Sequence, residues 1–334
     1  MRWMNPLVSI IIPVYNCEDF LERCLESIRN QTYPEIKVLL VNDKSLDKSG
    51  EIAEIYIEKY QLKNWKIIHL EENSGSSVAR NIGIDRTTGK YIFFVDSDDT
   101  ITPDCIETLV EISEKTGAEM TISQLECEKA TTGEKSICIK IKTSYELLTD
   151  NAKIFEEFAA GNLVTYPVNK LIKTEFLKEN KLYFKPGIYA QDELWTFQCM
   201  LKMSTIAIHH GITYTYFLHD KSVIHNRKKK HFDDWFTIGK AVDEAFQNEK
   251  NYRRKGQILQ YLTAYKSLTL LMNWRAQKDE NLWKESYSNY KKLSKLSPKN
   301  YFSKDFSVQT KKADLFTRLP TEFGFRFFKW RYER

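Results

Sequence analysis

The acidic group Asp96-Ser97-Asp98-Asp99 follows directly on the apolar run Ile92-Phe93-Phe94-Val95. On an extended chain alternate side chains point the same way, so the Asp96 and Asp98 carboxylates converge on one point. Two like charges that close ask for a divalent cation. Hard oxygen donors suit Mn2+ or Mg2+, which in turn bridge to diphosphate oxygens. Acidic turns after strands are also common as plain solvated turns, so the pair alone does not fix the chemistry. Two other apolar runs end in polar pairs, Tyr15-Asn16 and Asn42-Asp43. No GxGxxG follows the first run and no GxxxxGK[ST] occurs anywhere, which leaves a dinucleotide or P-loop site without support.

The elements that must position these residues are legible in the periodicity. Residues 7–14, Leu-Val-Ser-Ile-Ile-Ile-Pro-Val, form a short β-branched run that reads as a buried parallel strand. From Glu18, residues Phe20, Leu21, Cys24, Leu25 and Ile28 recur at helical spacing until Gln31-Thr32-Tyr33-Pro34 stops them. The alternation continues with a strand over 36–41, a helix over 47–60, a strand over 65–70, a helix over 78–87 and a strand over 91–95. Strand and helix at this pace imply right-handed crossovers and a mostly parallel sheet flanked by helices on both faces. In such a sheet the functional residues belong at the C-terminal ends of the strands, where the three polar clusters fall. Residues 117–142 read as antiparallel strands around Thr131-Thr132-Gly133, and 151–160 as an amphipathic helix. Periodicity then weakens until about 232. From Phe232 to Leu296 it is helical again, with Ile258, Leu259, Leu262, Tyr265, Leu268, Leu271 and Trp274 on one broad face.

Composition sets the class. The chain has 334 residues, 42% hydrophobic, 28% charged and 13% aromatic, with 12 Gly and 8 Pro, which excludes disorder and fibrous repeats. No segment approaches the ~20 apolar residues of a membrane-spanning helix, and the first residues lack a signal-peptide pattern, so a cytoplasmic protein is expected. Six cysteines without CxxC spacing are expected to be reduced and mostly buried. The net charge of +5 hides a division. From Lys221 onward there are 26 Lys and Arg against 12 Asp and Glu, whereas residues 1–220 hold 24 against 33. A basic C-terminal third suggests an anionic partner, with a solvated lysine-rich surface as the plain alternative.

In these motifs and their order the chain resembles glycosyltransferase family 2, over most of residues 7–225. Val8-Ser9-Ile10-Ile11-Ile12-Pro13-Val14-Tyr15-Asn16 is similar to that family's first strand, whose end, here Pro13, Tyr15 and Asn16, contacts the nucleotide. Val41-Asn42-Asp43-Lys44-Ser45 is similar to its second-strand signature, with Asp43 on the base and Lys44 where Gly is usual. Glu72-Asn73-Ser74-Gly75 through Arg80-Asn81-Ile82-Gly83 resembles the segment that opens the third helix, which puts Arg80 near the nucleotide. Phe94-Val95-Asp96-Ser97-Asp98-Asp99 resembles the metal-binding strand end. The resemblance implies a GT-A fold, α/β and Rossmann-like, with residues 1–115 binding the nucleotide-sugar, 116–225 the acceptor, and 226–334 forming a helical C-terminal region. It implies that Asp96 and Ser97 meet the nucleotide-sugar and that Asp98, with Asp96, holds Mn2+ or Mg2+.

Further on, Pro167-Val168-Asn169-Lys170-Leu171, Leu182-Tyr183-Phe184 and Gln191-Asp192-Glu193-Leu194-Trp195 resemble the acceptor half. The base of an inverting transfer then falls on Asp192, a role suited to a partly buried carboxylate, while a helix-capping Asp is the ordinary alternative. Gln191 stands where Glu is more usual, which leaves Glu193 as the nearer acidic substitute. The resemblance carries a metal or phosphate role to His225, with His219 as the rival. Arg227-Lys228-Lys229-Lys230 would neutralise a diphosphate, touch anionic lipid or be solvated. The tail Phe323-Gly324-Phe325-Arg326-Phe327-Phe328-Lys329-Trp330-Arg331-Tyr332 interleaves aromatic and basic residues, which suits a membrane surface, docking on the rest of the protein, or an oligomer contact. The expected activity is metal-dependent transfer of a hexose or N-acetylhexosamine from a UDP-sugar to a glycan hydroxyl, on a lipid-linked acceptor at the inner membrane face. A nucleotidyltransferase would need a Gly-rich basic loop where the chain reads Val14-Tyr15-Asn16-Cys17-Glu18. A nucleic-acid module would show an RNP-like motif or a basic recognition helix, and neither is present.

Overall fold

The computed structural model describes residues 5–137, 139–219 and 228–333. These fall into two compact units, one of residues up to 187 together with 191–219, the other of 188–190 with the described residues from 228 onward.

The first unit is α/β. Its elements in order are β1 (Val8–Val14), α1 (Leu21–Arg29), β2 (Ile36–Asn42), α2 (Ser49–Lys59), β3 (Trp65–His69), α3 (Ser76–Arg86), β4 (Tyr91–Phe94), β5 (Thr100–Ile101), α4 (Cys105–Thr116), β6 (Met120–Lys129), β7 (Lys135–Ser136), β8 (Leu147–Leu148), α5 (Asn151–Ala159), β9 (Lys170–Lys173), α6 (Thr174–Glu179), α7 (Gln191–Lys202) and β10 (Ile206–Leu218). One sheet runs β3-β2-β1-β4-β9-β6-β10-β5, with β7 added on β6 and β8 on β10. The first four strands are parallel, as their unbroken apolar runs predict. β1 lies between β2 and β4, its side chains buried on both faces. Beyond β4 the sheet becomes mixed, because β9 inserts antiparallel between β4 and β6. The turn at 131–133 joins the antiparallel pair β6 and β7 as expected.

Helix α3 packs on β1 unusually closely. A Cβ at Gly83 would overlap the Ile11 side chain, so glycine is what lets the helix press against the strand. The core between sheet and helices contains Ile10, Ile12, Leu21, Leu25, Phe93 and Leu109, all fully buried.

Three expectations need correction. The stretch from 160 to 232, where the periodicity weakens, holds β9, α6, α7 and the 13-residue β10. The alternation of β10 is broken by register shifts on either side of Ile212, which hide the strand from a period-two reading. The cysteines are not all thiols. Cys17, Cys24, Cys105 and Cys199 are free and buried, but Cys127 is disulfide-bonded, its partner lying outside the described residues. A hairpin brings distant residues face to face across two strands, as it does Cys127 and Ser136, and CxxC spacing gives no sign of that.

The second unit is helical: α8 (Lys229–Asn248), α9 (Tyr252–Ala276), α10 (Glu280–Tyr290), α11 (Pro298–Phe302), α12 (Val308–Arg318) and α13 (Thr321–Tyr332). Here the predicted stripe on α9 is wrong at Leu268, which is exposed. The buried face runs instead through Ile258, Leu262, Tyr265, Thr269, Leu270 and Trp274. The tail aromatics divide between two environments. Phe325 and Phe328 are buried against Trp274 and Trp283, while Phe323, Phe327, Trp330 and Tyr332 face solvent. Among the described residues no helix is long and apolar enough to cross a membrane.

Candidate active site

The parallel strands β1, β2 and β4 bring their polar ends together at one edge, as the crossover rule requires. At the end of β1, Pro13 is half-buried and Tyr15 and Asn16 are exposed. Asn16 takes a left-handed backbone (φ 48°); its N–H donates to Ser45 Oγ at 3.2 Å, and its Oδ1 accepts from Leu46 N–H at 2.8 Å. Lys44 is also left-handed (φ 57°), the geometry that favours glycine at this position.

Asp43 is buried, and its carboxylate gathers the loop before α3. Ser74 N–H and Gly75 N–H each donate to it at 2.7 Å, and Asn73 Nδ2 at 3.2 Å. The residue expected at the base thus organises the opening of the next helix, where Gly75 supplies the φ of 86° that the chain needs to enter it.

The strand end after β4 carries the acidic group. Arg80, buried on α3, donates through Nη2 to Asp96 Oδ1 at 2.5 Å. Phe184 lies below the guanidinium, 5.5 Å from it, and stacks on Trp195 at 4.5 Å, while Asn81 clasps the Phe184 backbone through both its N–H and its carbonyl. Ser97 turns inward, its hydroxyl hydrogen-bonded with the Cys17 thiol, whose pKa burial raises. Asp98 lies 2.9 Å from His219 Nε2. His219 stacks on Phe20 at 4.3 Å, and among the described residues its buried Nδ1 has no hydrogen-bond partner. Asp99 is fully buried, accepting from the Tyr214 hydroxyl at 2.6 Å and Phe217 N–H at 2.9 Å; Asp96 N–H donates to the same tyrosine oxygen at 3.2 Å. Arg23 donates to the Asp98 carbonyl at 2.7 Å and stacks over Phe217.

Three carboxylates in four residues leave this corner short of positive charge. Burial raises the Asp98 carboxyl above the usual range, and the charge of Asp96 adds to it. Asp99 is pushed well above the usual range, by burial first and then by Asp98 and Asp96. That imbalance, with carboxylate oxygens beside an imidazole nitrogen, is a donor set that fits Mn2+ or Mg2+. Among the described residues no group of three or more acidic, His or Cys side chains is arranged to hold a metal ion. His225 lies outside the described residues.

Asp192 sits in the first turn of α7. Gln191 Nε2 donates to Ser76 Oγ at 3.0 Å, tying the start of α7 to the start of α3. Burial raises the Asp192 carboxyl, and the charge of Arg80 opposes the rise. Arg80 thus pairs with Asp96, and its charge also lowers the pKa of the Asp192 carboxyl. Lys170, fully buried on β9 behind this region, donates to Tyr166 O, to Val168 O and, at 3.0 Å, to Asn169 Oδ1; burial brings its pKa down to about 7.

Sequence reasoning brought Asp43, Arg80, Asp96, Asp98 and Asp192 into view. It placed Lys170 and Phe184 in the acceptor half without an individual role, and it gave none to Arg23.

Comparison with known proteins bears on this arrangement. The sequence profile described as "Glycosyl transferase family 2" matches residues 9–180. EpsH of Bacillus subtilis, described as a glycosyltransferase, is 29% identical over 291 residues, 84% of this chain and 81% of its own. The poly(ribitol-phosphate) beta-glucosyltransferase of Bacillus spizizenii is 34% identical over 213 residues, 63% of this chain and 32% of that one. Among solved structures, S. aureus TarS 1-349 in complex with UDP-GlcNAc superposes with a TM-score of 0.69 at 22% identity, over 86% of this chain and 81% of that one, and shares the fold. With the GT-A fold and the four motifs in order, the chain belongs to glycosyltransferase family 2 and is a glycosyltransferase.

Proposed function

We propose that this enzyme transfers a hexose or N-acetylhexosamine from a UDP-sugar to a hydroxyl of a glycan acceptor, with inversion at the anomeric carbon. The observation that carries the proposal is the tie between the two sides of the site: Arg80 of α3 pairs with Asp96 at the acidic strand end, and Gln191, next to Asp192 at the start of α7, is hydrogen-bonded to Ser76 at the start of the same α3. Asp192, its basicity raised by burial, takes the proton of the acceptor hydroxyl as that oxygen attacks the anomeric carbon. The bond from that carbon to the UDP oxygen breaks, and its electron pair leaves with UDP. This is one displacement by one base, unlike hydrolases that use two carboxylates on water or on a covalent intermediate. Asp98, with Asp96, would hold Mn2+ or Mg2+, which supplies positive charge for the departing diphosphate, and His219 beside Asp98 is one candidate to complete that side. Pro13, Tyr15, Asn16, Asp43, Arg80 and Ser97 frame the nucleotide-sugar side. His225 is the second candidate for the metal or the diphosphate.

The UDP-GlcNAc complex of TarS supports a UDP-sugar donor, and the poly(ribitol-phosphate) relative supports an acceptor in surface-polymer assembly. The acceptor we propose is lipid-linked and met at the inner face of the cell membrane, with the basic, aromatic helical region from 226 onward on the anionic surface. The test is UDP release from UDP-, GDP-, ADP- and dTDP-sugars with and without Mn2+. Slow Mn2+-dependent hydrolysis of one UDP-sugar, lost in Asp98→Ala, is expected. Equal release without metal, or an active Asp98→Ala, overturns the metal assignment.

A further inference from the structure

Helices α12 and α13 enclose a cavity of about 630 Å3 in the second unit, closed on one side by Ser267 of α9. Its volume is that of a small-ligand site, but its walls are unusual for a solvated surface. Val308, Leu315 and Phe327 line it and are exposed, and Trp330 is exposed on the following turn of α13. The orientation is fixed from behind, since Phe325 and Phe328 of α13 are buried against Trp274 and Trp283 and hold Phe327 and Trp330 outward.

Charge decides what such a cleft would take. Lys312 and Arg331 also line it, no acidic residue does, and among the described residues neither cation forms an ion pair. Several basic side chains elsewhere in the unit are matched, Arg318 with Asp314, Lys284 with Glu280 and Glu322, Lys229 with Asp233 and Glu285, whereas Lys299 and Lys304, like the two at the cleft, form no ion pair among the described residues. Apolar walls with two unmatched cations beside them complement an amphiphile that has an apolar chain and an anionic head.

We infer that this cleft seats an anionic phospholipid of the membrane surface, its acyl chain among Leu315, Phe316 and Phe327 and its phosphate on Lys312 and Arg331. The inference rests on the membrane-facing reading of the C-terminal region and is independent of the transfer chemistry.

The test is flotation of the full chain with vesicles of phosphatidylcholine alone or mixed with phosphatidylglycerol. The wild type is expected to float only with the anionic mixture, and acyl-brominated phosphatidylglycerol is expected to quench a fluorescence component that Trp330→Phe removes. Each cation at an anionic surface is worth about fivefold in partitioning, so Lys312→Gln with Arg331→Gln lowers binding by about 25-fold. Lys299→Gln with Lys304→Gln, the same charge change at exposed sites outside the cleft, lowers it by less than about fivefold. All these positions are exposed, and matched circular-dichroism melts establish that the variants fold. Equal losses from the two pairs, or no quenching, overturn the cleft while leaving membrane contact in place. No flotation of the wild type overturns both. Self-association that Leu315→Asp abolishes, without vesicle binding, assigns the face to a second copy of the chain and overturns the lipid.

Discussion

Replacing Asp192 by Asn keeps size and hydrogen bonding but removes the charge that accepts the proton. A positioned general base contributes about 10²–10⁴ in rate, or ~2.7–5.5 kcal/mol of barrier. We expect kcat to fall by that factor, while UDP affinity, set by the other side of Arg80, changes less than about threefold. The pH profile gives a second reading. The base works ionised, so kcat falls as pH drops through its pKa, and that pKa lies above the ordinary aspartate value because the group is buried. Arg80 holds it down. Arg80→Met therefore moves the acid limb to higher pH. Single-turnover transfer from the preferred UDP-sugar across pH 4.5–8 measures both effects, with Glu193→Gln as the neighbouring control. An Asp192→Asn variant within tenfold of wild type refutes the assignment. So does an acid limb that persists unchanged when Asp192 is gone.

Three other outcomes follow from the geometry. Asp43→Ala strands two backbone N–H groups that now donate to a carboxylate, and at about 1.5–3 kcal/mol per charge-assisted bond, with water recovering part, urea denaturation should register a loss of about 2–4 kcal/mol. Lys170 has a folded pKa of about 7 against an ordinary value near 10.4, so the unfolded chain binds the extra proton between those values and stability rises with pH there. Lys170→Met should flatten that rise by up to ~1.4 kcal/mol per unit in denaturation at pH 7.5 and 9. Gly83→Ala puts a methyl into Ile11 and should cost about 1–3 kcal/mol by the same assay.

The first half of the fold was legible because its physics is local. β1 and β4 are apolar runs buried on both faces, β2 and β3 are short β-branched segments beside them, and the intervening helices keep a 3.6-residue repeat, so each element declares itself within a dozen residues. The acidic strand end was legible for the same reason, since its three carboxylates are adjacent in sequence. What could not be read depends on partners remote in the chain. β10 loses its alternation at the irregularity around Ile212. The outward turn of Leu268 is set by helices packed on α9, not by α9 itself. Arg23 meets Asp98 across 75 residues, and Tyr214 meets Asp99 across 115. No window on the sequence contains both ends of such a bond.

The path of the chain just after β4 has a further consequence. Phe94 ends a strand paired to β1 and β9, yet Thr100 and Ile101 already pair with β10, on the far side of β9 and β6. The acidic segment between them is therefore a strap that crosses three intervening strands, β9, β6 and β10, and is pinned by the Tyr214 phenol, which meets both Asp96 and Asp99. A strap fastened at both ends cannot be divided. Any rearrangement that slid the later strands against the parallel ones would pull on the Asp96–Asp99 backbone first. The two halves of this unit are thus not exchangeable modules, and a chimera joined between them would have to carry β10 along with its acidic segment to keep that corner in shape.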